Sequence, residues 1–431
     1  MSNVDSRRDG LTARHVLVVV TMSLMCFTSC CLPLSCAGVY YPSLVSYLGL
    51  SSTAALSVYQ TFMSVTMIVV LPFAGKILAK ADARIVLSAS SALIGLAFLA
   101  MTQFDAVWQW YAAGVVQGMG LAFNLYVAIP TMINRWFAQR IGFFVGLCLA
   151  FSGIGGIVFN QLAGILIASG PEGWRTGYAV FGALCLACTL PFTALALKNK
   201  PADVGLAPYG AGAGSADAAA PAAVRGISAA KAMRSPVFYV LALYAGLATF
   251  GSISMTMFPT FAQSLSGSFP ATAAVAATVV SVASAGGLLG KIALGAICDR
   301  SAFAGLLTGS VCGIAGFLLI WLGASSVPAF LAGGFLFGVF FATATVIPPL
   351  FARRSFGNLD YSNIYSRIST AAALCSAIAN PVWGLLATGD FVPFFSVALT
   401  CVIGAFLAGS YVVRVSSDAS SRFEEAPVGI E

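Results

Sequence analysis

Apolar residues gather into twelve long runs, roughly 15–41, 53–74, 85–103, 108–133, 141–169, 175–197, 236–264, 271–298, 303–323, 328–351, 361–388 and 391–413, separated by short polar breaks. A helix rises about 1.5 Å per residue, so ~20 apolar residues cross the hydrocarbon of a bilayer. Only helices or closed barrels satisfy every backbone polar group there. The pattern therefore predicts an all-α polytopic membrane protein of twelve transmembrane helices. The run after Arg14 exceeds the ~7–15 apolar residues of a secretion signal, which predicts a retained span.

A single polar stretch is long. Residues 198–234 contain APYGAGAGSADAAAPAAVRG, an Ala/Gly/Pro-rich composition that predicts a flexible tether. It divides the chain into an N-terminal six-helix half (1–197), the linker (198–234), a C-terminal half (235–414) and a tail (415–431). The halves echo each other. Gly75-Lys-Ile-Leu-Ala-Lys80 follows the second run and Gly295-Ala-Ile-Cys-Asp-Arg300 closes the eighth, at an offset of 295 − 75 = 220 residues. Equivalent loops on one side of the membrane predict parallel repeats.

Composition agrees, with 59% hydrophobic and 8% charged residues, against about 25% charged in soluble domains. The net charge of +7 is a matter of topology. All but three of the 21 Lys and Arg fall in the tails and the loops that follow even-numbered runs. That bias predicts both termini in the cytoplasm of a cell-membrane protein and excludes nucleic-acid binding. The exceptions are Arg175, in an outer loop, and Lys291 and Arg367, inside runs. Most of the eleven cysteines lie in apolar runs and show no metal-ligand spacing, so no metal or cofactor is expected. His15, the one histidine, sits at the edge of the first run and predicts a headgroup-level residue. Trp108, Trp110 and Trp321 fall at run ends and predict an interfacial belt.

Lys291 lies about 10 Å inside the membrane face and Arg367 about 9 Å. A charge at such depth costs about 2.5–3.5 kcal/mol. Each is flanked at helical spacing by small or polar residues: Ser284, Gly287 and Gly295 beside the lysine, Asn363 and Thr370 beside the arginine. Leu288, Leu289, Ile292 and Leu294 are predicted to face lipid. The fourteen acids all lie outside the runs or at their margins. With no internal counter-ion, an external anion is the economical partner. The bland alternative is that both stems snorkel to the headgroups. Tyr40, Tyr41, Asn124, Tyr126 and Asn160 in the first half offer hydrogen bonds without charge.

Gly295, Asp299 and Arg300 resemble the loop signature of the major facilitator superfamily, and the resemblance extends over all twelve runs. Gly75 keeps the first-half copy, but Ala79 stands where the family has its acid. Tyr126, Asn134-Arg-Trp-Phe137, Arg140, Gly142, the glycine-rich fifth run and Trp174-Arg175 with Tyr178 resemble the oxalate/formate antiporter and monocarboxylate transporter branch. The resemblance implies two halves rocking about a midplane site. It implies organic anions held by Lys291 on the eighth span and by Arg367, which falls within one residue of the basic position of the eleventh. Tyr40 and Tyr126 match aromatic positions of the branch.

The expected function is secondary transport of a small organic anion, a mono- or dicarboxylate such as oxalate, formate or lactate. It would run by alternating access, through exchange or with a proton carried on the substrate. The protein is expected to act as a monomer without an obligatory protein partner. An exporter of amphipathic drugs is the alternative within transport, and a sensor that binds without flux is another. A multi-span enzyme lacks a polar catalytic group, having one histidine and no buried acid.

Overall fold

In the computed structural model, which describes residues 11–50, 54–170, 172–211, 226–387 and 391–424, twelve helices are long and apolar enough to cross a membrane. They are α1 (Ala13–Ser35), α2 (Val58–Lys80), α3 (Ala83–Met101), α4 (Val107–Trp136), α5 (Ile141–Ile167), α6 (Gly173–Ala196), α7 (Pro236–Ser264), α8 (Thr278–Arg300), α9 (Ala302–Leu322), α10 (Val327–Phe356), α11 (Tyr361–Leu386) and α12 (Val392–Ser416). Among the described residues there is no β-strand, only two isolated bridges. Tight turns between helices are set by their caps. Asp82 accepts from Arg84 N at 2.9 Å to start α3, and Ser301 accepts from Ala304 N at 3.2 Å to start α9. The Arg84 side chain, 2.8 Å from Asp82, also holds that carboxyl below the usual carboxylate range.

The chain divides into two compact units, Met1–Gln139 with Leu147–Ala218, and Arg140–Gly146 with Ala219–Glu431. The start of α5 thus belongs with the second unit. Within each unit the packing repeats. A Cβ at Gly114 would meet the Tyr59 carbonyl, and one at Gly334 the Val279 carbonyl, 220 residues on (334 − 114 = 220, 279 − 59 = 220). Gly118 against Met63 recurs as Gly338 against Ala283. The Arg135 guanidinium donates to the Leu78 carbonyl at 2.9 Å, and Arg354 donates to the Cys298 carbonyl at 2.6 Å. Each of these bonds ties the end of one helix to the end of another in the same unit. Close glycine approach and a buried backbone acceptor are how bundles pack where water cannot help.

Unit 1 departs from regular helix in three places. Wide π-turns occupy Cys26–Cys30 in α1, Ala122–Ala128 in α4 and Phe192–Ala196 at the end of α6. The first apolar run, expected to be continuous to residue 41, breaks at Cys36, so Tyr40 and Tyr41 lie on a separate helix, Ala37–Tyr47. The tail helix continues to Glu424, past the expected end of the last span.

Three expectations about facing are corrected. Leu294 is fully buried rather than turned to lipid, whereas Leu289 is 55% exposed as expected. Trp110 is buried against Phe104 and Trp174 instead of lying at an interface, and Trp108 alone of that pair is exposed. His15 is buried at 2% exposure, its Nδ1 2.7 Å from Thr12 Oγ1 and its Nε2 3.2 Å from the Ala207 carbonyl. The partner of His15 is itself a surprise, because residue 207 belongs to the linker. Tyr209 pairs with α4 through Tyr209 N to Trp136 O at 2.9 Å and Ala138 N to Tyr209 O at 2.8 Å, and its ring meets Phe137 and His15 edge-on. The linker is therefore docked up to residue 211. The rest of the low-complexity stretch, 212–225, lies outside the described residues.

Candidate functional site

Lys291 sits on α8 with 7% of its surface exposed. Its ammonium stands 5.8 Å from the centroid of Phe341, on the face of an aromatic ring that favours a cation. Its backbone is held as tightly as its side chain. A Cβ at Gly146 would fall onto the Lys291 carbonyl, and one at Gly295 would fall onto the Gly142 carbonyl. Helices α5 and α8 therefore touch backbone to backbone at the lysine and again one turn beyond it. Only glycine permits this approach.

Asp299 closes the same seam. Its carboxylate accepts from Gly142 N at 2.7 Å and from Phe143 N at 2.9 Å, so it caps the N-terminus of α5 with a full negative charge. It is the one acid within the twelve helices, one residue from the end of α8. Arg300, next to it, is exposed. In the first unit Gly75 is buried and Ala79, at the place of the acid, is exposed. Removing the cap has a definite expected result. Asp299→Ala should lower stability by about 1–2 kcal/mol and Asp299→Asn by roughly half that, since Asn keeps an acceptor but no charge. Thermal unfolding of the purified protein, followed by a fluorogenic thiol reagent on its buried cysteines, reads both. An Ala variant melting with the wild type would remove the cap from the account.

Arg367 lies on α11 among Asn363, Ser366 and Thr370, half-buried. One of its Nη atoms donates to the Met233 thioether. Its Nε is buried and has no acceptor, and among the described residues no carboxylate lies within ion-pair distance. The Asn363 Nδ2 donates to Asp360 at 3.2 Å, while its Oδ1 is buried without a partner.

The first unit holds an aromatic cavity. Tyr40, Tyr41, Tyr59, Trp110, Tyr178 and Phe181 line it, with a free volume of about 10 Å³, enough for about one water. Tyr40 stacks on Tyr178 at 4.3 Å, and the hydroxyls of Tyr40 and Tyr41 are buried with no hydrogen-bond partner. Tyr59 donates to Gln117. Two orphaned hydroxyls in one place are polar capacity waiting for an acceptor or donor. The other first-half candidates are not gathered there. Asn124 is fully buried between Ser90, which donates to it at 2.5 Å, and Ser91, to which it donates at 3.0 Å. Its amide is thus spent on joining α4 to α3. Tyr126 is half-buried in the π-turn of α4, and Asn160 on α5 is half-buried with its Oδ1 unpartnered.

At the other end of unit 1, Arg175 gathers Tyr47 at 2.7 Å, Asp105 at 3.0 Å and Glu172 at 3.4 Å, and its guanidinium lies 4.5 Å over Trp174. The Tyr47 hydroxyl and the Arg175 guanidinium hold the Asp105 carboxyl below the usual carboxylate range. This is a clamp across three helix ends rather than part of a binding site. Residues that the sequence did not point to include Tyr59 and Met233. An isolated tyrosine or methionine in an apolar chain carries no signal until its neighbours are known.

The description of the Major Facilitator Superfamily matches residues 23–379. Over 284 residues the chain is 25% identical to an uncharacterized MFS-type transporter, YhjX, of Escherichia coli (strain K12), covering 64% of this chain and 65% of that protein. A stretch of 118 residues is 33% identical to monocarboxylate transporter 1 of Homo sapiens, covering 27% of this chain and 23% of that one. The Rattus norvegicus monocarboxylate transporter 1 matches at 31% over 140 residues, 28% of its length. The chain thus spans less than two thirds of each of these relatives. Among solved structures, the proton:xylose symporter XylE bound to 6-bromo-6-deoxy-D-glucose superposes with a TM-score of 0.66 at 12% identity, over 94% of both chains. At that identity the likeness is one of fold.

Proposed function

We propose that this chain, which belongs to the major facilitator superfamily and is a secondary transporter rather than an enzyme, carries a small organic anion, with a mono- or dicarboxylate as its substrate. The observation that carries the proposal is the charge inventory of the second unit. In its membrane-crossing helices Lys291 and Arg367 stand more than one turn from either helix end, whereas Arg300, Arg353, Arg354 and Arg414 lie within about a turn of one, and the one acid inside any such helix among the described residues is committed to backbone N–H groups of α5. Anions are what such a surplus attracts, and a guanidinium with a spare donor suits a carboxylate in particular. The local similarity to proteins named monocarboxylate transporter 1 points the same way. The transporter works as a monomer in the cell membrane with both termini in the cytoplasm.

Uptake of labelled oxalate, formate and lactate into vesicles containing the purified protein tests the proposal. Saturable uptake of one of them, competed by the unlabelled acid, is the expected outcome. Uptake at the level of empty vesicles for every carboxylate tried would refute it.

Energy coupling follows from the same inventory. With Asp299, the one acid inside a span among the described residues, held by two backbone N–H groups of α5, the cycle runs by exchange or with a proton carried on the substrate. An imposed pH gradient should then drive lactate only in proportion to its protonated fraction. It should not drive a sulfonate analogue that stays ionised. Proton-driven accumulation of the sulfonate would require a proton site on the protein and would overturn this coupling.

A further inference from the structure

Arg367 lies beneath part of the linker. Gly226 bridges to Gly357, and Ile227 N–H donates to the Phe356 carbonyl at 3.0 Å. Ala229 N–H donates to Asp360 Oδ2 at 2.9 Å, the same oxygen that accepts from Asn363. These bonds fasten the one-turn helix Ala229–Ala232 against the start of α11, with Ala229 and Ala232 buried and Lys231 and Arg234 exposed. The turn ends by placing the Met233 thioether on the Arg367 guanidinium. A thioether sulfur is a weak acceptor, and a guanidinium carries five N–H donors. Met233 therefore occupies a strong cation without satisfying it, and the buried Nε of Arg367 still has no acceptor.

We propose that Gly226–Ser235 is a lid over Arg367 and that Met233 is its latch, a weak placeholder that an incoming carboxylate displaces. The proposal rests on the assignment of Arg367 as an anion-holding cation and adds to it what covers that cation between turnovers. It makes Met233 a positioning residue. The strength of its hold on Arg367 sets how often the guanidinium is open to an anion. A side chain that accepts more strongly should close the site, and one that cannot reach should open it.

Phenylglyoxal modification of arginine, followed by mass spectrometry of the peptide that carries Arg367, measures this directly on the full chain in detergent. The exposed Arg300 in the same digest serves as the control for an intact fold. Met233→Ala should be modified at Arg367 faster than the wild type, by about two- to fivefold, the worth of a weak net hydrogen bond. Met233→Gln, whose amide oxygen is the better acceptor, should be modified more slowly than the wild type. Equal Arg367 rates in the three proteins, with Arg300 unchanged, would overturn the lid. If Met233→Ala fails to fold, a Gln variant no slower than the wild type overturns it alone. Oxalate, formate and lactate are then added to the Met233→Ala protein. Protection of Arg367 by one of them supports displacement by a carboxylate. Faster modification without protection by any would keep the lid and remove the anion assignment.

Discussion

Carboxylate uptake should fall to the level of empty vesicles when Lys291 and Arg367 are both replaced by Gln. Truncating one member of a buried charge contact costs about 2–5 kcal/mol, so each single Gln variant should lose about thirtyfold or more. The two conservative variants should differ. Lys291→Arg keeps a charge near the Phe341 face and should retain part of the activity. Arg367→Lys gives up the planar fork that grips a carboxylate with two parallel bonds, so it should be the poorer of the two. Membrane insertion should be unaffected, because neutralising a charge inside a span lowers the cost of inserting it. Wild-type carboxylate uptake by the double Gln variant would mean that both stems merely snorkel, and the groups that hold the anion would have to be sought elsewhere in the chain.

Gly146→Leu should be nearly as damaging, and for a reason that involves no charge. A side chain at 146 has to displace the Lys291 carbonyl, which is backbone and cannot rotate away. Overpacking a well-filled core costs about 1–3 kcal/mol even when side chains can yield. Here the helices themselves must part, and the cap that Asp299 places on Gly142 and Phe143 strains with them. The expected results are a lowered melting temperature and uptake reduced at least tenfold, the equivalent of about 1.4 kcal/mol. Gly295→Leu should behave alike, since it meets the Gly142 carbonyl across the same seam. Uptake and melting by Gly146→Ala at the wild-type level would show that α5 and α8 separate without cost.

The helices were legible because a bilayer demands long apolar runs, and hydropathy measures that demand directly. Facing was less so. Leu294 and Trp110 are buried by neighbours from other segments, and a lipid-facing leucine has the same hydropathy as a packed one. The Gly-Asp-Arg sequence marked Asp299, but its partners are the backbone N–H groups of residues 142 and 143, more than 150 residues earlier. No side-chain pattern announces a backbone partner. The linker misled for a different reason. Ala/Gly/Pro composition says that a segment has no core of its own, yet single residues such as Tyr209 and Met233 dock it onto cores that others provide.

The π-turn of α4 marks where the two repeats fall out of register. Up to Gly118 the repeated contacts of the two units stand 220 residues apart (338 − 118 = 220). Beyond it the offset is 219, for Pro130 and Pro349 and for Arg135 and Arg354 alike (349 − 130 = 219, 354 − 135 = 219). The slip falls across Ala122–Ala128, where α4 is wide, while the matching helix α10 is regular throughout. A π-turn takes up one surplus residue without lengthening the helix. Between these matched positions α4 thus carries one residue more than α10. The chain absorbed it locally, which let Arg135 keep its hold on the Leu78 carbonyl while Asn124 and Tyr126, inside the widened turn, were released from the register of their counterparts and free to take on new partners.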